Sequence, residues 1–103
     1  MSASAPSAWT LTRAARRDMV RIWEHGASRL SFDQADRYQR DLVRVFGLLA
    51  AHPQMARECA EVDPPVRLHP FGAHLIIYRI AEGGIEVVRV PHSRQNWQNL
   101  LNR

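Results

Sequence analysis

Lysine is absent from this 103-residue chain: all 14 basic residues are arginine, set against 10 acidic residues for a formal net charge of +4. That absence excludes chemistry needing an amine as general base or Schiff-base nucleophile, because a guanidinium stays protonated. The single cysteine, Cys59, excludes an intramolecular disulfide framework and a cysteine-rich zinc site. Nothing beside it in the sequence activates a thiol, so it reads as a free thiol in a loop. The longest apolar runs, such as Val43 to Ala51, are interrupted by charge and fall far short of the ~20 residues that span a bilayer. Residues 1–8 have neither an apolar centre nor a basic start, so they do not read as a signal peptide. A flexible N-terminus over 1–8 and one cytoplasmic domain over 9–103, without membrane contact, are expected. No GxGxxG, P-loop or GxSxG pattern occurs, and no cofactor is expected.

What is present has a clear period. Ala8-Trp9-Thr10-Leu11 alternates as a short strand. Ala15, Met19, Ile22, Trp23, Gly26 and Leu30 then form one helical stripe, with Thr12 as its cap and a break near Ser28 to Ser31. Ser31 and Gln34 make a capping box for a second helix. Its apolar positions, Ala35, Tyr38, Leu42, Val45, Phe46 and Leu49, run towards Ala51. On the other side, Asp36–Arg40 and Arg37–Asp41 are spaced as i,i+4 pairs. His52-Pro53 ends the helix, and residues 53 to 65 read as a loop. Segments 66–71, 74–80 and 85–90 carry strand composition, the last two joined by the turn Ala81-Glu-Gly-Gly84. Residues 93 to 103 read as a short helical or irregular tail. Helices preceding strands in a block indicate an α+β fold. The expected architecture is an N-terminal strand and a two-helix hairpin packed on a mainly antiparallel four-stranded sheet, its other face left for solvent or a partner.

Five histidines, at 25, 52, 69, 74 and 92, show no metal-ligand spacing. His69 and His74 can approach across the turn at Phe71-Gly72, but two histidines make a weak zinc site, and no metal is expected. Arg79 and Arg89 stand inside otherwise apolar strands, where a charge must face solvent, pair or bind something. Two readings stand side by side: an arginine on the exposed sheet face or tied to an acidic residue, or a concavity of Arg79, Arg89, His92 and Arg94 facing an anion or a protein. The arginines of the first helix are read as a solvated face.

In this order the segments resemble the ParE-type toxins of the RelE/ParE superfamily, the toxic halves of bacterial type II toxin–antitoxin pairs. The resemblance runs from Trp9 to Asn96. It is carried by Leu11-Thr-Arg-Ala-Ala15 with Asp18-Met-Val-Arg-Ile-Trp-Glu-His25, by Phe32-Asp-Gln-Ala35 with Tyr38, and by Leu48-Leu-Ala-Ala-His-Pro53. Its most specific pieces are Leu75-Ile-Ile-Tyr-Arg79 and Ile85-Glu-Val-Val-Arg-Val-Pro-His92. Departures stand at Ala56 for a common glycine, at Pro91 for leucine and at Asn96 for an acidic residue, so a different path is expected after His92.

The resemblance implies a RelE/ParE-like fold, a ParD-like antitoxin as partner in a hetero-oligomer, and DNA gyrase as target. Operator DNA would be contacted only through the antitoxin. RelE-like relatives instead cleave mRNA on the ribosome. Cleavage by 2′-OH attack needs a base and an acid. Here no lysine serves, and both tyrosines, Tyr38 and Tyr78, lie in apolar patterns. The preferred reading is thus a non-enzymatic toxin with no catalytic residues. The alternative is an mRNA interferase using His92 with Arg79 and Arg89. Val20, off the main stripe, and Trp23, with Arg79, Arg89, His92 and Arg94, are the expected antitoxin- or target-binding residues.

Overall fold

The computed structural model describes residues 8–101; the expected flexible N-terminus lies almost wholly outside the described residues. Strand β1 (Ala8–Leu11) leads into helix α1 (Arg13–Arg29) and helix α2 (Phe32–Ala51). Strands β2 (Arg57–Cys59), β3 (Val66–Phe71), β4 (His74–Ala81) and β5 (Gly84–Arg89) follow, then a short helix α3 (Trp97–Leu101). The sheet order is β1-β5-β4-β3-β2. β1 runs parallel to β5, and the other neighbours are antiparallel. No helix among the described residues is long and apolar enough to cross a membrane.

The α+β class holds, with five strands rather than four. The added strand, β2, lies in the stretch read as a loop and pairs antiparallel with β3. Three residues with two exposed charged side chains, Arg57 and Glu58, are too few to show an alternation. Cys59 accordingly sits in a strand and is buried, not in a loop.

Both helix starts follow their caps. Thr12 Oγ1 accepts the Ala15 N–H at 3.0 Å, and Ser31 Oγ accepts the Gln34 N–H at 3.1 Å, bonds worth about 1 kcal/mol each. Thr12 also ties helix to sheet, donating its hydroxyl to Val88 O at 2.7 Å and its N–H to Val87 O at 3.0 Å. Gly26 lies opposite Ala35, where a Cβ would stand 3.3 Å from the alanine methyl, so it lets the helices approach. The i,i+4 pairs of α2 do not form. Asp36 accepts from Trp23 Nε1 at 2.7 Å, and Asp41 pairs with Arg44 one turn on. The acidic partners are drawn to a neighbouring helix or a closer arginine.

The main core lies between the helix pair and the sheet. Leu42, Phe46 and Leu49 of α2 meet Ile76, Tyr78, Ile85 and Val87, with Trp9 edge-on to Phe46. The opposite sheet face is not left open along its length. Cys59, Val66, Leu68, Ile77 and Val88 form a second cluster, packed against by Val62, Leu75, Trp97 and Leu101. The tail, with the loop between β2 and β3, supplies this cover.

β1 enters alongside the turn into β5, where Gly84 faces Ala8 in register. A Cβ at Gly84 would collide with the Ala8 carbonyl. Gly84→Ala should therefore break the parallel pairing and destabilise the fold by about 3 kcal/mol, the upper end of overpacking costs. Thermal unfolding should show a midpoint lowered by roughly 15 °C. An unchanged midpoint would mean that β1 does not close on β5.

Candidate functional site

β1 stops at Leu11, opposite Val87, but β5 runs on to Arg89, leaving its end and the following Val90 without a strand neighbour on that side. The side chain that meets this edge is Asp18 of α1. Its Oδ2 accepts from Arg89 Nε at 2.8 Å and from the Val90 N–H at 2.9 Å. Its Oδ1 accepts from Arg89 Nη2 at 3.0 Å and from Arg21 Nη2 at 3.2 Å. The register between β4 and β5 shifts here: Tyr78 faces Val87 while Ile77 faces Arg89. Val88 is thus one extra residue, and such a bulge re-aims the side chain that follows. Asp18 is the buried charged residue of the described chain, 6% exposed. Burial pulls its carboxyl upwards, but the hydrogen bonds from Arg89 and the Val90 N–H, with the Arg89 charge, outweigh it and hold it below the ordinary carboxylate range. The hydrogen bonds to Asp18, with its charge, raise Arg89 above its usual value against the opposing effect of burial.

Beside this clamp opens a cleft of about 840 Å³ between α1, the start of β4 and the segment after β5. It brings together Arg21, His25, His74, Arg89 and His92. His74 and His92 form an isolated antiparallel bridge, with ring centroids 5.6 Å apart in an edge arrangement. The bridge is fastened by Leu75 N–H to Pro91 O and by Ser93 N–H to Ala73 O. His74 therefore meets His92, not His69, which lies across from Ile76 in the β3–β4 register. His74 Nδ1 lies 2.7 Å from the Tyr38 hydroxyl, which also takes the Ala73 N–H. Burial, then the charges of His92 and His25, lower the His74 pKa. No group of three or more metal-ligating side chains able to hold an ion occurs among the described residues.

The expected concavity divides. Arg89 and His92 share the cleft, but Arg79 pairs with Glu86 across the β4–β5 ladder at 3.3 Å. It lines a smaller hollow of about 380 Å³ with Arg17, Leu100 and Leu101, which Arg89 borders from its other side. Arg94 is exposed, its backbone N–H donating to His92 Nδ1 at 3.1 Å. The division arises because Arg79 has a carboxylate directly opposite on the partner strand, whereas Arg89 is claimed by the helix. Val20 is 52% exposed. Trp23 stacks on the exposed Phe32, placing both on the outer side of the helix pair. Asp18 is the residue missed from sequence. Its signal is positional: with Ala15, Met19 and Ile22 it completes an i, i+3, i+4, i+7 set, so a carboxylate occupies the core-facing stripe.

Neither tyrosine is free to act as a base. Tyr78 is fully buried and donates to Pro53 O at 2.7 Å. Tyr38 is held by Phe71, Ala73 and His74. Burial raises both phenols above their usual range.

The family model for the ParE toxin of type II toxin–antitoxin system, parDE, matches residues 10–97. The chain belongs to the ParE toxin family. Toxin ParE1 of Mycobacterium tuberculosis (strain H37Rv) is 37% identical over 91 residues, which cover 87% of this chain and 93% of that protein. Toxin ParE1 of Caulobacter vibrioides is 30% identical over 88 residues, covering 85% and 91%. A solved structure described as the chromosomal ParDE TA system from P. aeruginosa shares the fold at a TM-score of 0.69. It is 22% identical and covers 84% of this chain and 96% of that one. Family membership places the toxin on the protein-binding side of its superfamily, not the nuclease side.

In the toxin, Asp18→Asn removes the counter-charge of Arg89 and turns one of the two acceptor oxygens into an NH2 donor facing the clamp. Asp18→Asn should cost about 3 kcal/mol at pH 7, as for one partner lost from a buried pair. The folded pKa of Asp18 is depressed, so its contribution is present above the unfolded carboxylate value and is lost as pH falls through the folded one. Urea unfolding at pH 7 and pH 3 should therefore show the gap between wild type and variant narrowing at the lower pH. A constant gap would mean that the carboxylate charge is not what stabilises the clamp.

Proposed function

We propose that this toxin is silenced by a ParD-like antitoxin and acts by binding DNA gyrase. The observation that carries the non-nuclease part of the reading is the clamp itself. Arg89, the strand arginine nearest His92, is held bidentately by Asp18, so it is not a free cation poised over a phosphate. A general acid–base pair needs two groups with matched proton affinities within reach of one reacting atom. His74 and His92 lie together, but no carboxylate or second base is hydrogen-bonded to either ring among the described residues.

The partner part rests on family membership and on the surface. A basic chain favours encounter with an acidic partner. Val20 and the Trp23–Phe32 stack give the helix pair an exposed apolar side of the kind that takes an amphipathic segment. In this reading Val20 and Trp23 contact the antitoxin or target, His92 and Arg94 form the rim of the cleft, and Arg79 contributes at the second hollow. Arg89 acts through Asp18 by holding the cleft in shape. Operator DNA is bound through the antitoxin.

Expression of the chain with and without a ParD-like antitoxin tests the reading directly. Without antitoxin, plasmid supercoiling should fall and gyrase–DNA cleavage complexes accumulate, while transcripts stay intact. Co-expression should reverse both effects. Cut transcripts that disappear in a folded His92→Ala variant would replace this function with mRNA cleavage.

A further inference from the structure

Of the two charge pairs expected along α2 that do not form, one is replaced by a contact with α1. Asp36 Oδ1 accepts from Trp23 Nε1 at 2.7 Å instead of pairing with Arg40 one turn on. That one bond acts on both helices. On α1 it fixes an indole. Trp23 is half-buried and also stacks on Phe32, with ring centroids 5.7 Å apart and planes inclined by 28°. An indole held at its face by a ring and at its edge by a carboxylate has little side-chain freedom left to lose on binding. On α2 the same bond leaves a cation. Arg40 is exposed and makes no ion pair among the described residues. It borders a hollow of about 470 Å³ with Asp36, Val43 and Arg44.

The surroundings are apolar. Phe32 is 68% exposed, Val20 52% and Val43 36%. Phe32, Asp36, Arg40 and Val43 recur at helical spacing, so they share one face of α2. Val20 stands one turn before Trp23 on α1. Exposed apolar side chains thus surround one immobilised aromatic ring system, with an unpaired guanidinium beside it.

We propose that Asp36 is a positioning residue for partner binding, which presents Trp23 as a fixed anchor for an apolar side chain of the antitoxin and leaves Arg40 to receive an acidic one. The inference deepens the antitoxin reading above and rests on it for the occupant. Charge favours an acidic, apolar segment over a second copy of this chain. The chain carries a net charge of +4, and a second copy would bring like charge to a face whose arginine is unpaired, whereas carboxylates complement it.

Positioning and charge make opposite predictions at residue 36. Asparagine keeps an acceptor oxygen and removes the charge; alanine removes both. The test measures the affinity of the full-length toxin for the ParD-like antitoxin that neutralises it on co-expression. Asp36→Ala should weaken binding about fivefold by freeing the indole. Asp36→Asn should bind as tightly as wild type or more tightly, because the surface that receives acid has lost a negative charge. Trp23→Phe keeps a ring but has no N–H; it should also weaken binding, and adding Asp36→Ala to it should cause no further loss. Arg40→Gln should slow association, an effect that fades at high salt. The indole N–H signal that Trp23→Phe removes from the NMR spectrum should shift in Asp36→Ala and stay near its place in Asp36→Asn. Equal affinities for Asp36→Ala and Asp36→Asn, or an indole signal unmoved by Asp36→Ala, overturn the positioning role and leave the antitoxin reading standing. Unchanged association of Arg40→Gln overturns the acidic contact. A free toxin that self-associates and becomes monomeric in Trp23→Phe assigns the face to a second copy and overturns the occupant. No antitoxin binding to wild type overturns the antitoxin reading and the occupant together, while the indole signal still decides whether Asp36 holds Trp23.

Discussion

One buried carboxylate organises this protein. A sheet that ends in a short parallel strand leaves the far half of its inner neighbour with an open edge, and an open edge carries unpaired N–H groups. Asp18 answers that problem with a side chain where a further strand would otherwise be needed. It takes the Val90 N–H as a strand carbonyl would, and it takes the guanidinium of Arg89 from the bulge beside it. Because Asp18 sits on α1, the same bonds fix the helix against the sheet. An uncompensated charge there would be costly, so the bulge, the strand end and the helix position depend on one another.

Around that clamp the two sheet faces are built by different means. The helix-side core uses long-range packing of α2 against β4 and β5, with side chains such as Leu42, Phe46 and Tyr78 fully buried. The opposite face has a thinner cover: Val62 from a loop, and Trp97 and Leu101 from a five-residue helix. A helix that short has little stability of its own and is held by what Trp97 and Leu101 bury. The tail is thereby part of the fold, and its path past Pro91 is set by the His74–His92 bridge.

The elements legible in the sequence were those with enough residues to show a period. Both caps, both long helices, the first strand and the hairpin of β4 and β5 follow from local patterns, and the family motifs lie along the same segments. β2 was illegible because three residues cannot display alternation; β3 recruits it. The candidate site was half legible. Arg89 and His92 were marked as charge and imidazole in unusual places, and they do share a cleft. That Arg79 belongs elsewhere, and that His74 joins His92, depends on pairing between residues distant in the chain. Asp18 was visible as a carboxylate on an apolar stripe, but its meaning required knowing which strand edge it would face.

The absence of lysine gains a different sense from this arrangement. In a chain whose only permanent cations are arginines, chemistry depends on which guanidiniums are left unpaired. Arg79 is spent on Glu86 and Arg89 on Asp18, so these two arginines of the central hairpin are structural before they are anything else. Beside them in the cleft stand the imidazoles of His74 and His92, held at Nδ1 by a hydroxyl and by a backbone N–H. The neutral His92 ring, accepting at Nδ1, carries its proton on Nε2, and neither ring is hydrogen-bonded to a carboxylate among the described residues. A site of this kind suits recognition better than bond cleavage. Its strand arginine is already held by a carboxylate, rather than free to follow charge onto a transferring phosphate.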